Sequence, residues 1–308
     1  MRISSAFAYD KQLAQLQRRQ SQLTEAQIQL TSGKRVLKAS DDPAAAATAE
    51  RALARMSRAT AQQRALDASK NSMQLTESAL GDAGEMLQQV REALVNAGNG
   101  SYTDSDRAKL ADQIRGLRND LLAVANRDDG SGRYLFGGQG SDTPPLRDSA
   151  GGVVYDGTAG QSNAAGGEGT PLAVDGRAAF LQAPDPANPG STISVFDALD
   201  QAVAGLSTTG QTSAQVAQVV SAGIGNVDAA VNNLSSWRAR AGESLNRIDA
   251  IGSRLSQSKL DAQTDRSNAE DLDMVQAISD FQNRQTGYDA ALKTYSMVQR
   301  MSLFDYLK

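Results

Sequence analysis

The amino-acid sequence predicts a mainly α-helical protein: an elongated, coiled-coil-like bundle formed by the N- and C-terminal halves, with a small β-rich domain inserted at its tip. Two observations lead to this fold class. Near both ends of the chain, apolar residues recur at alternating intervals of three and four over long stretches, as in helices that pack along a continuous seam. Between these stretches, roughly residues 128–195 are rich in glycine and proline, which interrupt helices.

The two terminal helices are predicted over residues 1–32, ending at Gly33, and over roughly residues 268–304. In both, the apolar stripe is interrupted by glutamine. A buried glutamine needs hydrogen-bond partners, so a mixed stripe makes a poor core within one molecule. We therefore expect these helices to pack mainly against other copies of the chain. The predicted interface residues are Leu13, Leu16, Leu23, Leu30, Ile278, Phe281, Tyr288, Leu292 and Tyr295.

A strong helix-start signal follows the first helix, at Ser40, Asp41, Asp42 and Pro43. Asp42 can accept hydrogen bonds from free N–H groups of the first turn, Pro43 suits the first helical position, and Asp41 complements the helix dipole. The helix predicted over residues 43–97 would be on the order of 80 Å long at 1.5 Å per residue. Its apolar residues recur every seven positions, at Leu66, Met73, Leu80, Leu87 and Leu94.

Two further helices complete the predicted bundle. Thr103 and Asp106 resemble a capping box that opens the next helix, and another begins near Ser213. The latter has an unbroken seven-residue repeat at Val220, Val227, Leu234, Ala241, Ile248 and Leu255. Unbroken apolar stripes predict that these middle helices bury one another within a single chain.

The sequence divides into three predicted domains. Residues 1–42 and 267–308 form a terminal-helix assembly domain, residues 43–138 and 205–266 form a long-helix bundle, and residues 139–204 form a β-rich insertion with long loops. Within the Gly/Pro-rich region, residues 133–136 and 153–155 are candidate strands, because the first run has two aromatic side chains and the second has two valines and a tyrosine.

Composition argues against several function classes. The chain has no cysteine and no histidine, which removes the thiolate nucleophile, the commonest general base and the commonest metal ligand. We therefore expect no catalytic residue, no bound metal and no cofactor. A formal charge of −4 without a cluster of Lys and Arg argues against nucleic acid. No apolar run reaches the length of a membrane helix, and the N-terminal residues do not resemble a secretory signal peptide.

Several motifs resemble those of the flagellin family. Residues 30–36, Leu-Thr-Ser-Gly-Lys-Arg-Val, followed by Ser-Asp-Asp-Pro at 40–43 and an alanine-rich helix, are similar to the N-terminal signature of the family. Residues 1–4, residues 132–138 (Gly-Arg-Tyr-Leu-Phe-Gly-Gly) and residues 302–307 resemble the hook-associated junction members of the family more than its filament flagellins. Residues 139–211 contribute nothing to the resemblance.

The resemblance implies a function that the residues alone do not. It implies a structural adaptor that joins the bacterial flagellar hook to the flagellin filament, exported without a cleaved signal peptide and located outside the cell at the hook-filament junction. Implied partners are copies of itself in a ring, the first hook-associated junction protein, flagellin, and a cytosolic export chaperone on the C-terminal helix. A short filament-forming flagellin is the alternative, and a free-standing enzyme is a distant third.

Overall fold

The structure, a computed structural model, describes the backbone of residues 2–140, 143–164 and 169–304. In the two terminal helices it describes the side chains of Phe7 and of residues 9–297. Contacts divide the chain into two compact units. We call Met1–Ala59 with Ser256–Lys308 the terminal unit, and Thr60–Leu255 the central unit. The boundaries of the three domains proposed from the sequence stay predictions.

The fold is mainly α with a small β region, as the sequence predicts. The helices are α1 Arg2–Ser32, α2 Pro43–Ala97, α3 Asp104–Ala125, α4 Gly176–Phe180, α5 Val195–Ser207, α6 Ser213–Glu270 and α7 Met274–Phe304. The strands are β1 Leu146–Ser149, β2 Gly152–Tyr155, β3 Ala183–Pro184 and β4 Thr192–Ile193. They form two antiparallel pairs, β1 with β2 and β3 with β4.

The seven-residue repeats of α2 and α6 form the core of the central unit. All five α2 positions are buried, as are Val220, Val227, Leu234, Ala241 and Ile248, while Leu255 is partly buried against the same cluster. Three ion pairs flank this core: Arg91–Asp228 at 2.8 Å, Glu77–Arg238 at 2.6 Å and Lys70–Asp249 at 2.6 Å. The residue numbers of their α6 partners rise as those of their α2 partners fall. In this unit, therefore, α2 and α6 are antiparallel and bury one another, as predicted.

The helix α3 begins at the predicted capping box and packs against α5. The Thr103 side chain accepts from the backbone N–H of Asp106, whose carboxylate accepts from the backbone of Thr103. Further along α3, Arg118 forms a two-pronged ion pair with Asp148 of β1, at 2.5 and 2.6 Å, and lies 5.5 Å from the Phe196 ring of α5. The buried guanidinium thus joins α3 to the β region and to α5.

The strand predicted at residues 133–136 is wrong, whereas the one at residues 153–155 lies in β2. Leu135 and Phe136 are fully buried in a turn-rich segment, whose isolated bridge joins Asp128 to Tyr134. The Phe136 ring makes an edge contact at 4.9 Å with Phe180 of α4. Gly132 and Gly138 on either side have positive φ, so the backbone turns before a regular strand can extend.

The start of the last helix also needs correction. It was expected at about residue 268, but α6 continues to Glu270 and α7 begins only at Met274. Asp273 caps α7 by accepting from the N–H groups of Val275 and Gln276 at 3.0 and 3.1 Å, which fixes the later start.

Among the described residues, no helix combines the length and the apolar character needed to cross a membrane.

Candidate functional site: the terminal unit

In the terminal unit, α1 and α7 lie side by side and antiparallel. The Tyr9 and Tyr295 rings are 5.5 Å apart with their hydroxyl groups hydrogen-bonded, and further along the pair Arg284 donates to the carbonyl of Gln22 at 3.1 Å. These contacts join the two terminal helices within one chain.

The nine predicted interface residues differ in how far this pairing covers them. Six are half-buried along the helix pair: Leu16, Leu23, Leu30, Phe281, Tyr288 and Tyr295. The other three, Leu13, Ile278 and Leu292, are exposed, with 38, 46 and 39% of their surface accessible. The structure thus places all nine on the two helices and leaves none fully buried. Their role between subunits stays a proposal.

The terminal unit has a different kind of core from the central unit. Its buried apolar residues, among those described, are almost all alanine: Ala26, Val36, Ala49, Ala52, Ala59, Ala262 and Ala269. The central unit instead buries phenylalanine, leucine, isoleucine and methionine side chains completely. Burial stabilises in proportion to apolar area, and an alanine side chain offers one methyl group. The terminal unit therefore gains much less from its own core.

Large exposed apolar side chains show the opposite distribution. Among the described residues, Val95 is the only large apolar residue of the central unit that is exposed. The terminal unit exposes Phe7, Tyr9, Leu13, Ile28, Leu37, Leu53, Leu260, Met274, Val275, Ile278, Leu292 and Met297. Such a concentration of apolar surface typically marks a site of protein–protein contact.

The signature residues 30–43 form a clasp that ties the end of α1 to the junction of α6 and α7. The backbone N–H of Arg35 donates to the carbonyl of Glu270 at 2.7 Å, and the N–H of Leu272 donates to the carbonyl of Gly33 at 3.0 Å. The Arg35 guanidinium bonds the carbonyl of Ala269 at 2.8 Å and the Asp42 carboxylate at 3.1 Å. Lys34 pairs with Glu270 at 3.2 Å.

The four helix-start residues lie in this clasp. Pro43 is the first residue of α2, and the Asp42 carboxylate accepts from the N–H of Ala45 at 3.0 Å. The Asp41 carboxylate accepts from the N–H groups of Leu37 and Lys38 at 3.1 and 2.8 Å, while Ser40 donates to Asp41 at 3.4 Å. Their described contacts are all within the terminal unit.

The same contacts set the charge state of the clasp. The pKa of Asp41 is lowered below its usual 3.8, mainly by a hydrogen bond from the backbone N–H of Lys38 and next by one from the N–H of Leu37. The N–H of Ala45, and after it the Arg35 side chain, lowers the pKa of Asp42 in the same way. Both carboxylates are therefore charged at neutral pH.

Acid is expected to loosen the clasp. The pKa of Asp42 is lower in the folded protein than in the unfolded chain. The stabilisation that its charged carboxylate gives to the clasp is therefore complete above pH 3.8, and it is lost as the pH falls through the pKa of the folded state. The exchange protection of the Ala45 amide should stay constant from pH 7 to about 5 and drop below about pH 4. In Asp42→Asn this drop should be much smaller. Undiminished protection in the wild type at about pH 3 would contradict the assignment.

Within residues 9–140, 143–164 and 169–297, no group of three or more acidic side chains is placed to hold a metal ion.

Comparison with protein families identifies this architecture. A model of the bacterial flagellin N-terminal helical region matches residues 3–141, and one of the C-terminal helical region matches residues 224–307. Together they span more than half of the 308 residues. The chain belongs to the flagellin family.

Within the flagellin family, the chain is more similar to hook-associated members than to flagellins. It is 31% identical over 250 residues to flagellar hook-associated protein 3 of Escherichia coli, covering 77% of each chain. It is 27% identical over 222 residues to flagellin of Bacillus subtilis, covering 70% of each. A putative flagellar hook-associated protein from Vibrio parahaemolyticus has the same fold, with a TM-score of 0.66, 21% identity and coverage of 75% of this chain and 100% of that one.

Sequence reasoning missed part of what this flagellin-family chain exposes. Val275 is the most exposed large apolar residue described, at 83%, and Met274 beside it is also exposed. Asp271 and Asp273 were the available signal for the start of this helix, because acidic residues just before an apolar helical run indicate a helix N-terminus. They gave no signal that Val275 would be exposed. The pairing of Lys34 with Glu270 had no local signal, since the two residues lie on opposite arms of the chain.

Proposed function

We propose that this chain is a structural subunit of the bacterial flagellum, a junction adaptor that joins the hook to the flagellin filament. The observation that carries the proposal is the division between the units. The central unit buries its large apolar side chains, whereas the terminal unit leaves nearly all of the described exposed ones to be covered by another molecule. Membership of the flagellin family and similarity to hook-associated protein 3 indicate which assembly covers them.

The finer parts of the proposal concern partners and location. Copies of this chain would form a ring through their terminal helices, with the first hook-associated junction protein on the hook side and flagellin on the filament side. Exposed α7 residues such as Leu292 would be held by a cytosolic chaperone before export. Export from the cell would place the protein at the junction between hook and filament.

A filament-forming flagellin is the second candidate, favoured by the similarity to the Bacillus subtilis protein. The two candidates differ in what the purified chain does alone. A flagellin should polymerise into long filaments after seeding, whereas a junction subunit should stop at short rings or oligomers. Electron microscopy of the seeded protein distinguishes them.

Deletion of the gene tests the proposed function directly. Cells without this protein should build hooks and release flagellin monomers into the medium, while attached filaments disappear, because flagellin has lost the surface on which it polymerises. Electron microscopy of the cells and immunoblots of the medium measure these outcomes, and expression of the intact gene from a plasmid is the control. Filaments of normal number and length in the deletion strain would refute the proposal.

A further inference from the structure

The turn between α2 and α3 contains an asparagine followed by a glycine. Asn99, Gly100 and Ser101 lie shortly after the end of α2 at Ala97, and all three are exposed. Asparagine is one of the thermolabile residues of proteins. Its side-chain amide is lost when the backbone nitrogen of the next residue attacks it. The surroundings of that nitrogen and of the amide carbonyl therefore decide whether the reaction occurs in a folded chain.

The backbone nitrogen of Gly100 is free to act as the nucleophile. Among the described residues, no group accepts a hydrogen bond from the Gly100 N–H. The backbone around it is bonded, since the Asn99 N–H donates to the carbonyl of Asn96 at 3.0 Å and the Tyr102 N–H donates to the carbonyl of Asn99 at 3.1 Å. A glycine also places no side chain beside its nitrogen. The attacking atom is thus accessible within a turn that is otherwise ordered.

The side-chain carbonyl of Asn99 is held and polarised as the electrophile. Its Oδ1 atom accepts hydrogen bonds from the backbone N–H and the hydroxyl of Ser101, at 3.1 and 3.0 Å. A bond from an asparagine side chain to the N–H two residues later folds the side chain back over the intervening peptide, which here is that of Gly100. Two donors aimed at the oxygen also stabilise the negative charge that develops there when a nucleophile adds to the carbonyl.

The other asparagines of the chain lack this arrangement. Those within α2, α3, α6 and α7 are followed by helical residues, whose N–H groups are used in the hydrogen bonds of the helix. Asn126 and Asn163 are followed by N–H groups that bond backbone carbonyls at 3.1 and 2.7 Å, and Asn188 is followed by a proline, which has no N–H. In the described part of the chain, Asn99 is therefore the asparagine best placed to react.

We propose that Asn99 is a site of spontaneous deamidation, at which the folded subunit gains a carboxylate without the help of an enzyme. The Gly100 nitrogen loses its proton and bonds to Cγ of Asn99. The bond from Cγ to the side-chain nitrogen then breaks, and ammonia leaves with that proton. Water opens the resulting cyclic imide at either carbonyl and gives aspartate or isoaspartate, in which the main chain runs through the former side chain. The inference does not depend on the proposed function.

The modification would change the turn that joins α2 to α3. A carboxylate at the C-terminal end of α2 opposes the helix dipole, and Asp104 and Asp106 at the start of α3 are already negative. Isoaspartate also lengthens the main chain and removes the Asn99 carbonyl that accepts from Tyr102. We therefore expect the exchange protection of the Tyr102 amide to fall as the subunit ages.

Incubation of the purified full-length subunit at neutral pH tests the site. Trypsin releases residues 92–107 as one peptide, which contains both Asn96 and Asn99, so Asn96 in α2 is an internal control. Tandem mass spectrometry measures the loss of each amide over time, and a sample digested at once corrects for loss during digestion. Asn99 should convert in the folded subunit at a rate comparable to that in guanidinium, while Asn96 stays intact in the folded subunit. If Asn99 converts in guanidinium but stays intact in the folded subunit, the turn protects it and the proposal is wrong.

Gly100→Ala tests the attacking atom. An added Cβ would meet no atom within 4 Å, and the φ angle of Gly100 lies outside the left-handed region, so the variant should fold and melt like the wild type. It should lose the Asn99 amide about tenfold more slowly, because a methyl group beside the nitrogen crowds the cyclic transition state. A conversion as fast as in the wild type would show that the reaction does not pass through the Gly100 nitrogen, and it would overturn the proposed step.

Discussion

Leu234→Asp is expected to unfold the central unit, whereas Leu292→Asp should abolish assembly and leave the isolated subunit almost as stable as the wild type. Leu234 is 1% exposed and belongs to the α6 repeat that packs in the main core. An unpaired carboxylate there costs several kcal/mol, in addition to the lost packing of the leucine. Leu292 is 39% exposed, so an aspartate at that position keeps much of its hydration in the free subunit.

Thermal unfolding followed by circular dichroism, together with counts of attached filaments, measures the two effects. Leu80→Asp, which is also buried at 1%, is the matched control in α2 and should behave like Leu234→Asp. A failure in export could imitate a failure in assembly, so the amount of secreted subunit must be measured for each variant. If Leu292→Asp lowers the melting temperature as much as Leu234→Asp, then α7 belongs to the core of the subunit and the division proposed here is wrong.

The central bundle could be predicted from the sequence because its stabilising pattern is local. An apolar residue every seven positions, as from Leu66 to Leu94, places one side chain per two helical turns on the same face, whatever the partner. The helix ends were equally local, since Pro43, Thr103 and Asp106 act on N–H groups within one turn. Such signals need no knowledge of the distant parts of the chain.

The β region could not be predicted in the same way, because its side chains are ordered by distant contacts. Leu135 and Phe136 resemble a strand in isolation, yet the backbone N–H of Leu135 bonds the carbonyl of Arg127 and Phe136 packs against Phe180. The missed helix α5 did have local signals, in the cap Ser194 and the spacing of Val195 and Leu199. The high glycine and proline content around it concealed them.

The candidate site was predictable in location but not in its contacts. Glutamine within the apolar stripes singled out α1 and α7, and the structure leaves Leu13, Ile278 and Leu292 of that set exposed. The clasp from Arg35 to Ala269 and Glu270 joins the two arms of the chain, and pairing of residues so far apart leaves no trace in either local sequence. The assignment of these surfaces to subunit contacts stays a proposal.

Limited proteolysis of the free subunit should remove both chain ends and leave a stable central fragment. Trypsin is expected to cut first within residues 1–40 and 268–308, where Arg18 and Lys293 lie on helices supported by few buried side chains. Cleavage requires local unfolding of about ten residues, and the free energy of that opening is small where the buried side chains are mostly alanine. In the central unit the same opening would expose fully buried residues such as Met73 and Phe196.

Mass spectrometry of the fragments over time measures the order of cleavage. Arg91, which is about as exposed as many terminal basic residues but is paired with Asp228 beside the main core, serves as the internal control and should be cut last. Incorporation into flagella should protect Arg18 and Lys293 as well, since neighbouring copies would then cover the exposed leucines and isoleucines of α1 and α7. Equal cleavage rates at Arg18 and Arg91 in the free subunit would mean that the terminal helices are as stable as the central bundle. The terminal helices would then need no partner to stabilise them, and the physical basis of the proposed subunit contact would be lost.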